Sequence, residues 1–391
     1  MPSIESTFEA AVAVKDIPGA VLAASSTDGS YSYAKSFGVR SLKDGDAARP
    51  LELDALFWMG SCTKLMTVIA ALQCVEGGHF TLDEDVCRLL PELKDIEVKT
   101  LAKDESGTPI RVKANKTITL RHLLTHTSGL SYTRFGDLSL PLVERCLAPL
   151  VFEPGEGFIY GNNEAGVDFA GFMVERVSGL SLESYIHKHI AAPLGIESIC
   201  FRPPSYPDMH RRFTDVSIRT GTDKSGPVQW TPETIWPLDM AGDSGGSGAY
   251  ATIVEYQRIL HSITSNDGVL LGSAMVDELF RPDMTPAVRA DVMEALKDPN
   301  RNNIYGGLPK GTEVAYAIGG MVVLEDLPGR RPKGTLHWGG LLNVFFWMDR
   351  INGLSGIYGS QVFPAGDPKC LALFAEFERK AYEAFQATSR T

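Results

Sequence analysis

The stretch Phe57-Trp58-Met59-Gly60-Ser61-Cys62-Thr63-Lys64-Leu65-Met66-Thr67 carries no charge before Lys64 and sets a glycine directly before a serine. It runs into Val68-Ile69-Ala70-Ala71-Leu72-Gln73-Cys74-Val75-Glu76, which reads as a mostly buried helix ended by Gly77-Gly78. A serine at the mouth of such a helix has two uses. It can cap the helix by accepting from backbone N–H groups two or three residues on. It can also act as a nucleophile, because Lys64 stands one helical turn away on the same face. An apolar helix desolvates that ammonium, lowers its pKa and makes it a proton acceptor, while the positive end of the helix favours a serine alkoxide.

Before this stretch, residues 3–15 place Ile4, Phe8, Ala11 and Val12 at helical spacing. Ala20 to Ala24 and Tyr31 to Gly38 flank Thr27-Asp28-Gly29-Ser30 and read as a hairpin. After it, residues 94–116 are charged and read as an exposed excursion. Within Ile118 to Leu130, Thr119 can cap a short helix that stops at Gly129. Residues 164–178 are apolar all round, which predicts a buried helix. Gly242-Asp243-Ser244-Gly245-Gly246-Ser247-Gly248 lacks the Gly-Lys-Ser/Thr ending of a phosphate loop, so it reads as a place of close backbone approach.

Towards the C-terminus, Val314 to Leu324, Gly334 to Met348 and Gly353 to Phe363 read as a meander, followed by a helix over about 367–386. Strands at both ends with helices between predict an α+β fold: one antiparallel sheet built from N- and C-terminal segments, flanked by helices, with a mostly helical insertion. The expected division is 1–95 with 240–391 as the sheet domain and 96–239 as the insertion. Ser61 falls where the two would meet.

The chain has 391 residues, 44% of them hydrophobic, and a net charge of −11. Nucleic acid and anionic membranes reward clustered lysine and arginine, so the charge argues against both as partners. The N-terminus lacks the pattern of a secretory signal and no window of eighteen apolar residues appears, so a cytoplasmic protein is expected. Cys62, Cys74, Cys87, Cys146, Cys200 and Cys370 lack Cys-x-x-Cys spacing and read as reduced core thiols, with Cys62 an oxidation liability beside Ser61. His122 and His126 stand four apart without the glutamate of a zinc protease, and neither a metal nor a cofactor is expected.

Ser61-x-x-Lys64, Tyr160-Gly161-Asn162 and His337-Trp338-Gly339-Gly340 follow one another in an order that resembles the serine β-lactamase and penicillin-binding-protein superfamily. The class C and esterase branch is the nearest. The likeness extends through Leu120 to Leu130 and Pro193-Leu194-Gly195, and with Ile159-Tyr160-Gly161, Ala71-Leu72-Gln73-Cys74, Ser128 to Tyr132 and Gly334 to Asn343 the chain most resembles the family of the fungal lovastatin acyltransferase. The resemblance implies a β-lactamase/transpeptidase-like fold and gives each residue a role. Ser61 takes the acyl group. Lys64 and Tyr160 manage its proton, either of them as the base. The backbone N–H groups of Ser61 and Leu341 form the oxyanion hole, and Tyr132, Asn162, His337, Trp338, Gly339 and Gly340 support or bind the substrate.

The third motif departs from the antibiotic-binding enzymes, where a lysine or similar polar pair suits a substrate carboxylate. Trp338 holds that place here, which points to an apolar acceptor, lined by some of Trp230, Trp236, Phe345, Phe346 and Trp347. The resemblance therefore implies an acyltransferase that moves an acyl group from a thioester, carried by an acyl carrier domain of a polyketide synthase, to a hydroxyl of an apolar natural product. A carboxylesterase with the same Ser-Lys-Tyr site is the alternative.

Overall fold

The computed structural model describes residues 2–43, 49–131, 137, 140–160, 165–221 and 224–388. Seven strands form one antiparallel sheet: β1 (Gly19–Ser26), β2 (Ser32–Gly38), β3 (Val314–Ala317), β4 (Gly320–Val323), β5 (Leu336–Gly340), β6 (Val344–Asp349) and β7 (Leu354–Gly359). Their spatial order is β3-β4-β5-β6-β7-β1-β2, so the first hairpin of the chain joins the C-terminal meander by pairing β1 with β7. This is the antiparallel sheet from both ends of the chain that the sequence predicted, and it accords with the fold the family resemblance implied.

Helices cover both faces. On one lie α1 (Ile4–Ala13) and α5 (Pro368–Thr388), whose Phe8, Phe374 and Phe377 pack with Phe37, Phe345, Trp347 and Tyr358 of the strands. Each such ring contributes about 2–3 kcal/mol when buried, so this layer is a large part of the apolar gain. On the other face α4 (Ile253–Ser265) packs on β7 and β1. Next to it α2 (Thr63–Glu76) packs on α3 (Gly166–Ser178). As the apolar excess of 164–178 implied, nine consecutive residues of α3, Gly166 to Val174, are buried.

Two parts differ from expectation. Val314 to Leu324 is a hairpin rather than one strand, because the chain reverses at Ile318-Gly319 and Gly320 takes φ +150°. Gly334 to Met348 likewise folds back at Leu341-Leu342-Asn343, with Asn343 in the left-handed region at φ +60°. All strands involved are buried on both faces, so no change of polarity marks the turn. The charged excursion at 94–116 contains a hairpin, Glu97–Lys103 with Pro109–Lys113.

Candidate active site

The strand Leu56–Trp58 pairs with Tyr250–Thr252 and delivers the chain to Gly60, at φ +51°. A 3-10 turn over Gly60–Cys62 then leads into α2, setting Ser61 at the helix mouth. The Ser61 side chain shows no capping bond, since neither Met59 nor Cys62, the cap positions, uses a side chain and Ser61 lies inside the turn. Its hydroxyl is 3.4 Å from Lys64 Nζ.

Lys64 is buried, and its ammonium donates to the carbonyl of Gly246 at 2.9 Å. One turn on, Thr67 donates to the carbonyl of Gly245 at 2.8 Å. The glycine run at 242–248 is thus a close backbone approach, as its composition suggested. Asp168, buried on α3, fixes this loop by accepting from Ser244 Oγ at 2.8 Å and from the Gly246 N–H at 3.2 Å. Sequence reasoning missed Asp168; the signal was a carboxylate inside the otherwise apolar run Gly166 to Val174.

The end of β5 closes the other side. A Cβ on Gly60 would stand 2.9 Å from the amide nitrogen of Leu341, and one on Gly340 would stand 2.2 Å from the carbonyl oxygen of Met59. Glycine at both positions lets the two backbones touch. The Leu341 amide therefore lies against Gly60, one residue from Ser61.

Tyr160 is half-buried, and the Lys64 ammonium lies 5.3 Å from its ring centroid. Aromatic rings box it in: Trp338 edge-on at 4.7 Å, His126 edge-on at 4.9 Å and Tyr305 at 5.5 Å. His126, fully buried, shares a 2.7 Å hydrogen bond with Tyr316 through Nε2, and Tyr316 in turn stands edge-on to Trp338. His126 thus meets a phenol. His122 accepts from the Thr119 N–H in a capping box. Among the described residues no cluster of His, Cys, Asp or Glu is placed to hold a metal ion.

The remaining expected residues divide. Trp338 and Gly340 face Tyr160 and Met59. His337 and Gly339 alternate onto the opposite face: His337 stands across from Trp347, and a Cβ on Gly339 would strike the Phe345 ring at 2.5 Å. They line the core under α5 and not the Ser61 cleft. Burial pushes the His337 imidazole well below its ordinary pKa, with Arg331 and Arg330 nearby adding to the effect. Tyr132 and Asn162, with Gly161, lie outside the described residues.

Trp230 and Trp236 line a cavity of about 210 Å³, whereas Phe345, Phe346 and Trp347 are fully buried core. Cys62 is also fully buried, and burial pushes its thiol far above the usual range. A thiol so held is a poor nucleophile, so the oxidation liability expected from its position does not apply.

A serine and a lysine one turn apart, a tyrosine against the lysine and a backbone amide opposite are the parts of an acyl-serine enzyme. The Beta-lactamase family model matches residues 4–378, and the chain belongs to that family. Among its relatives, monacolin J acid methylbutanoyltransferase of Aspergillus terreus is 35% identical over 98% of this chain and 96% of its own. Lovastatin esterase of Penicillium rubens is 36% identical over 98% and 99%. The unliganded simvastatin synthase of Aspergillus terreus superposes with a TM-score of 0.89 at 35% identity, covering 98% of both chains. The protein is accordingly a β-lactamase-like enzyme with acyltransferase and esterase relatives.

Proposed function

We propose that the protein is a ping-pong acyltransferase acting through Ser61. The observation that carries this reading is the placement of Lys64 Nζ 3.4 Å from Ser61 Oγ while a carbonyl holds it at 2.9 Å. The Ser61 hydroxyl proton passes to Lys64 or Tyr160 as Oγ attacks the carbonyl carbon of a thioester. The N–H groups of Ser61 and Leu341 receive the oxyanion, a contribution of roughly 3 kcal/mol per donor in such sites. Collapse breaks the C–S bond, the thiolate leaves with the proton, and an acyl-serine remains. The hydroxyl of an apolar acceptor then attacks, gives its proton to the same base and leaves as the ester, which frees Ser61.

The donor is a thioester on an acyl carrier domain of a polyketide synthase, and Trp338 beside Tyr160 favours an apolar natural product as acceptor. The free cysteines among the described residues suit a reducing, cytoplasmic setting. No helix among them is long and apolar enough to cross a membrane.

A hydrolytic reading has one specific support, the equal likeness to an esterase. Intact mass after brief exposure to short acyl thioesters, with Ser61→Ala as control, separates the two. Transfer requires an adduct on Ser61 that an apolar alcohol discharges faster than water; equal discharge by water would make the protein an esterase.

A further inference from the structure

We infer that Asp168 is a positioning residue for the reaction: acting through the loop Ser244 to Ser247, it aims the carbonyl that holds Lys64 beside Ser61. The inference rests on the acyl-transfer reading.

The loop has two sides. On one, three successive carbonyls accept from the segment that carries the serine: Gly245 from Thr67 Oγ1 at 2.8 Å, Gly246 from Lys64 Nζ at 2.9 Å and Ser247 from Trp58 Nε1 at 2.6 Å. Trp58 ends the strand that delivers the chain to Ser61, and Lys64 and Thr67 stand on successive turns of α2. On the other side a single oxygen of Asp168, Oδ1, accepts from Ser244 Oγ at 2.8 Å and from the Gly246 N–H at 3.2 Å. Gly246 therefore meets the carboxylate with its N–H and the ammonium with its carbonyl.

This loop needs an anchor because of what lets it approach. A Cβ on Gly245 would stand 2.9 Å from Thr67 Cγ2, so the contact with α2 requires glycine there. Adjacent glycines are the residues whose φ and ψ are least restrained, so the direction of the Gly246 carbonyl must be set from outside. Asp243 holds the start of the loop, accepting from the Glu183 N–H at 2.9 Å and from Arg202 at 2.5 Å. Asp168 holds the part that meets Lys64. Asp168, Ser244 and Lys64 are all buried, where bonds to a carboxylate are stronger than neutral ones and bonded groups polarise one another. Asp168 also follows Tyr160 by eight residues, so one segment supplies the tyrosine and the support of the lysine.

The test is the rate at which butyryl-coenzyme A acylates Ser61, followed by intact mass and normalised to the folded fraction. Asp168→Ala should slow acylation at saturating thioester about 30-fold and leave the half-saturating concentration within about threefold, because misplacing Lys64 affects the reacting step and not binding. Asp168→Asn keeps an acceptor oxygen and should recover all but about threefold of the loss. In a Lys64→Ala background Asp168→Ala should change the residual rate by less than about threefold, since the group it positions is gone. Where Asp168→Ala does not fold, Asp168→Asn carries the same comparison, with about a threefold loss beside Lys64 and none without it.

Equal losses with and without Lys64, a loss confined to the half-saturating concentration, or wild-type rates in Asp168→Ala would each overturn the assignment. Absence of any adduct on wild-type Ser61 would overturn acyl transfer itself. The positioning would then be read from the rate at which a serine-reactive phosphonate labels Ser61, to which the same ratios apply.

Discussion

The two faces of β5 do opposite work, one residue apart. On the front, Trp338 boxes Tyr160 and Gly340 lets the strand touch Met59, so small shifts there move the groups proposed to react. On the back, His337 and Gly339 lie over the α1/α5 core, beside a buried ion-pair cluster. Glu378 on α5 accepts from Arg331 at 2.6 and 2.7 Å and from Arg330 Nε at 2.8 Å. Burial pushes the Glu378 carboxyl up, but the two guanidiniums outweigh it and hold its pKa below the ordinary value. The front holds a lysine against a hydroxyl and a carbonyl; the back neutralises charge with charge. On the proposed mechanism, reactivity and stability are separated by the thickness of one sheet.

The sharpest way to break this contrast is at Ser61. Ser61→Ala should lower turnover by on the order of 10⁴-fold or more, the scale for loss of a serine nucleophile. Its melting temperature should stay within about 2 °C, because a change of this kind outside the core falls within about 0.5 kcal/mol. Mass spectrometry and calorimetry on one preparation decide it, and an adduct that survives would place the nucleophile elsewhere.

The converse variant is Glu378→Ala. Stranding two buried guanidiniums should cost about 3–5 kcal/mol in denaturant titration. The fraction still folded should acylate at the normal rate, and a rate that fell with stability would erase the division between faces.

Neighbouring glycines sharpen it further. Gly340→Ala should slow acylation about 100-fold by pushing the Leu341 amide out of register, the effect of losing one oxyanion donor. Gly339→Ala should instead overpack against Phe345 and cost about 1–3 kcal/mol of stability with kcat unchanged. Exchange of the two phenotypes would mean that the faces are assigned the wrong way round.

The smallest effect is with pH. His337 is held neutral in the fold, so its folded pKa lies below the unfolded value of about 6.5. Protons bind the unfolded chain first as pH falls, so its contribution is intact above about pH 6.5 and lost below it. His337→Leu should flatten the stability profile between about pH 5 and 6.5 by at most about 1.4 kcal/mol per pH unit. Profiles that superimpose would show that His337 does not titrate differently in the two states.

Much of this was legible in the residues. Ser61-x-x-Lys64 lies on a buried helix because apolar periodicity and a Gly-Gly stop are local signals. The glycine run at 242–248 read correctly as close approach, because it lacked the residues of a phosphate loop. Val314 to Leu324 misled, since alternation reports which face a residue takes but not where a fully buried strand turns. His126, Tyr305 and Tyr316 were illegible as a site, and Asp168 showed only as a charge in an apolar run. Each is unremarkable until it meets its partner, as when His126 finds Tyr316, 190 residues away.

By itself the sequence determined the elements and the inventory: a sheet from both ends of the chain, a serine at a helix mouth with a lysine one turn on, and a tryptophan in the third motif. Tertiary structure alone decided that Gly246, 182 residues on, supplies the carbonyl for Lys64. It also decided that Leu341 lies against Gly60, that His337 turns to the core, and that three indoles meet around one cavity. The physical reason is range. Helix and strand patterns act over a few residues, whereas hydrogen bonds and ring contacts act over a few ångströms between residues that only folding brings together.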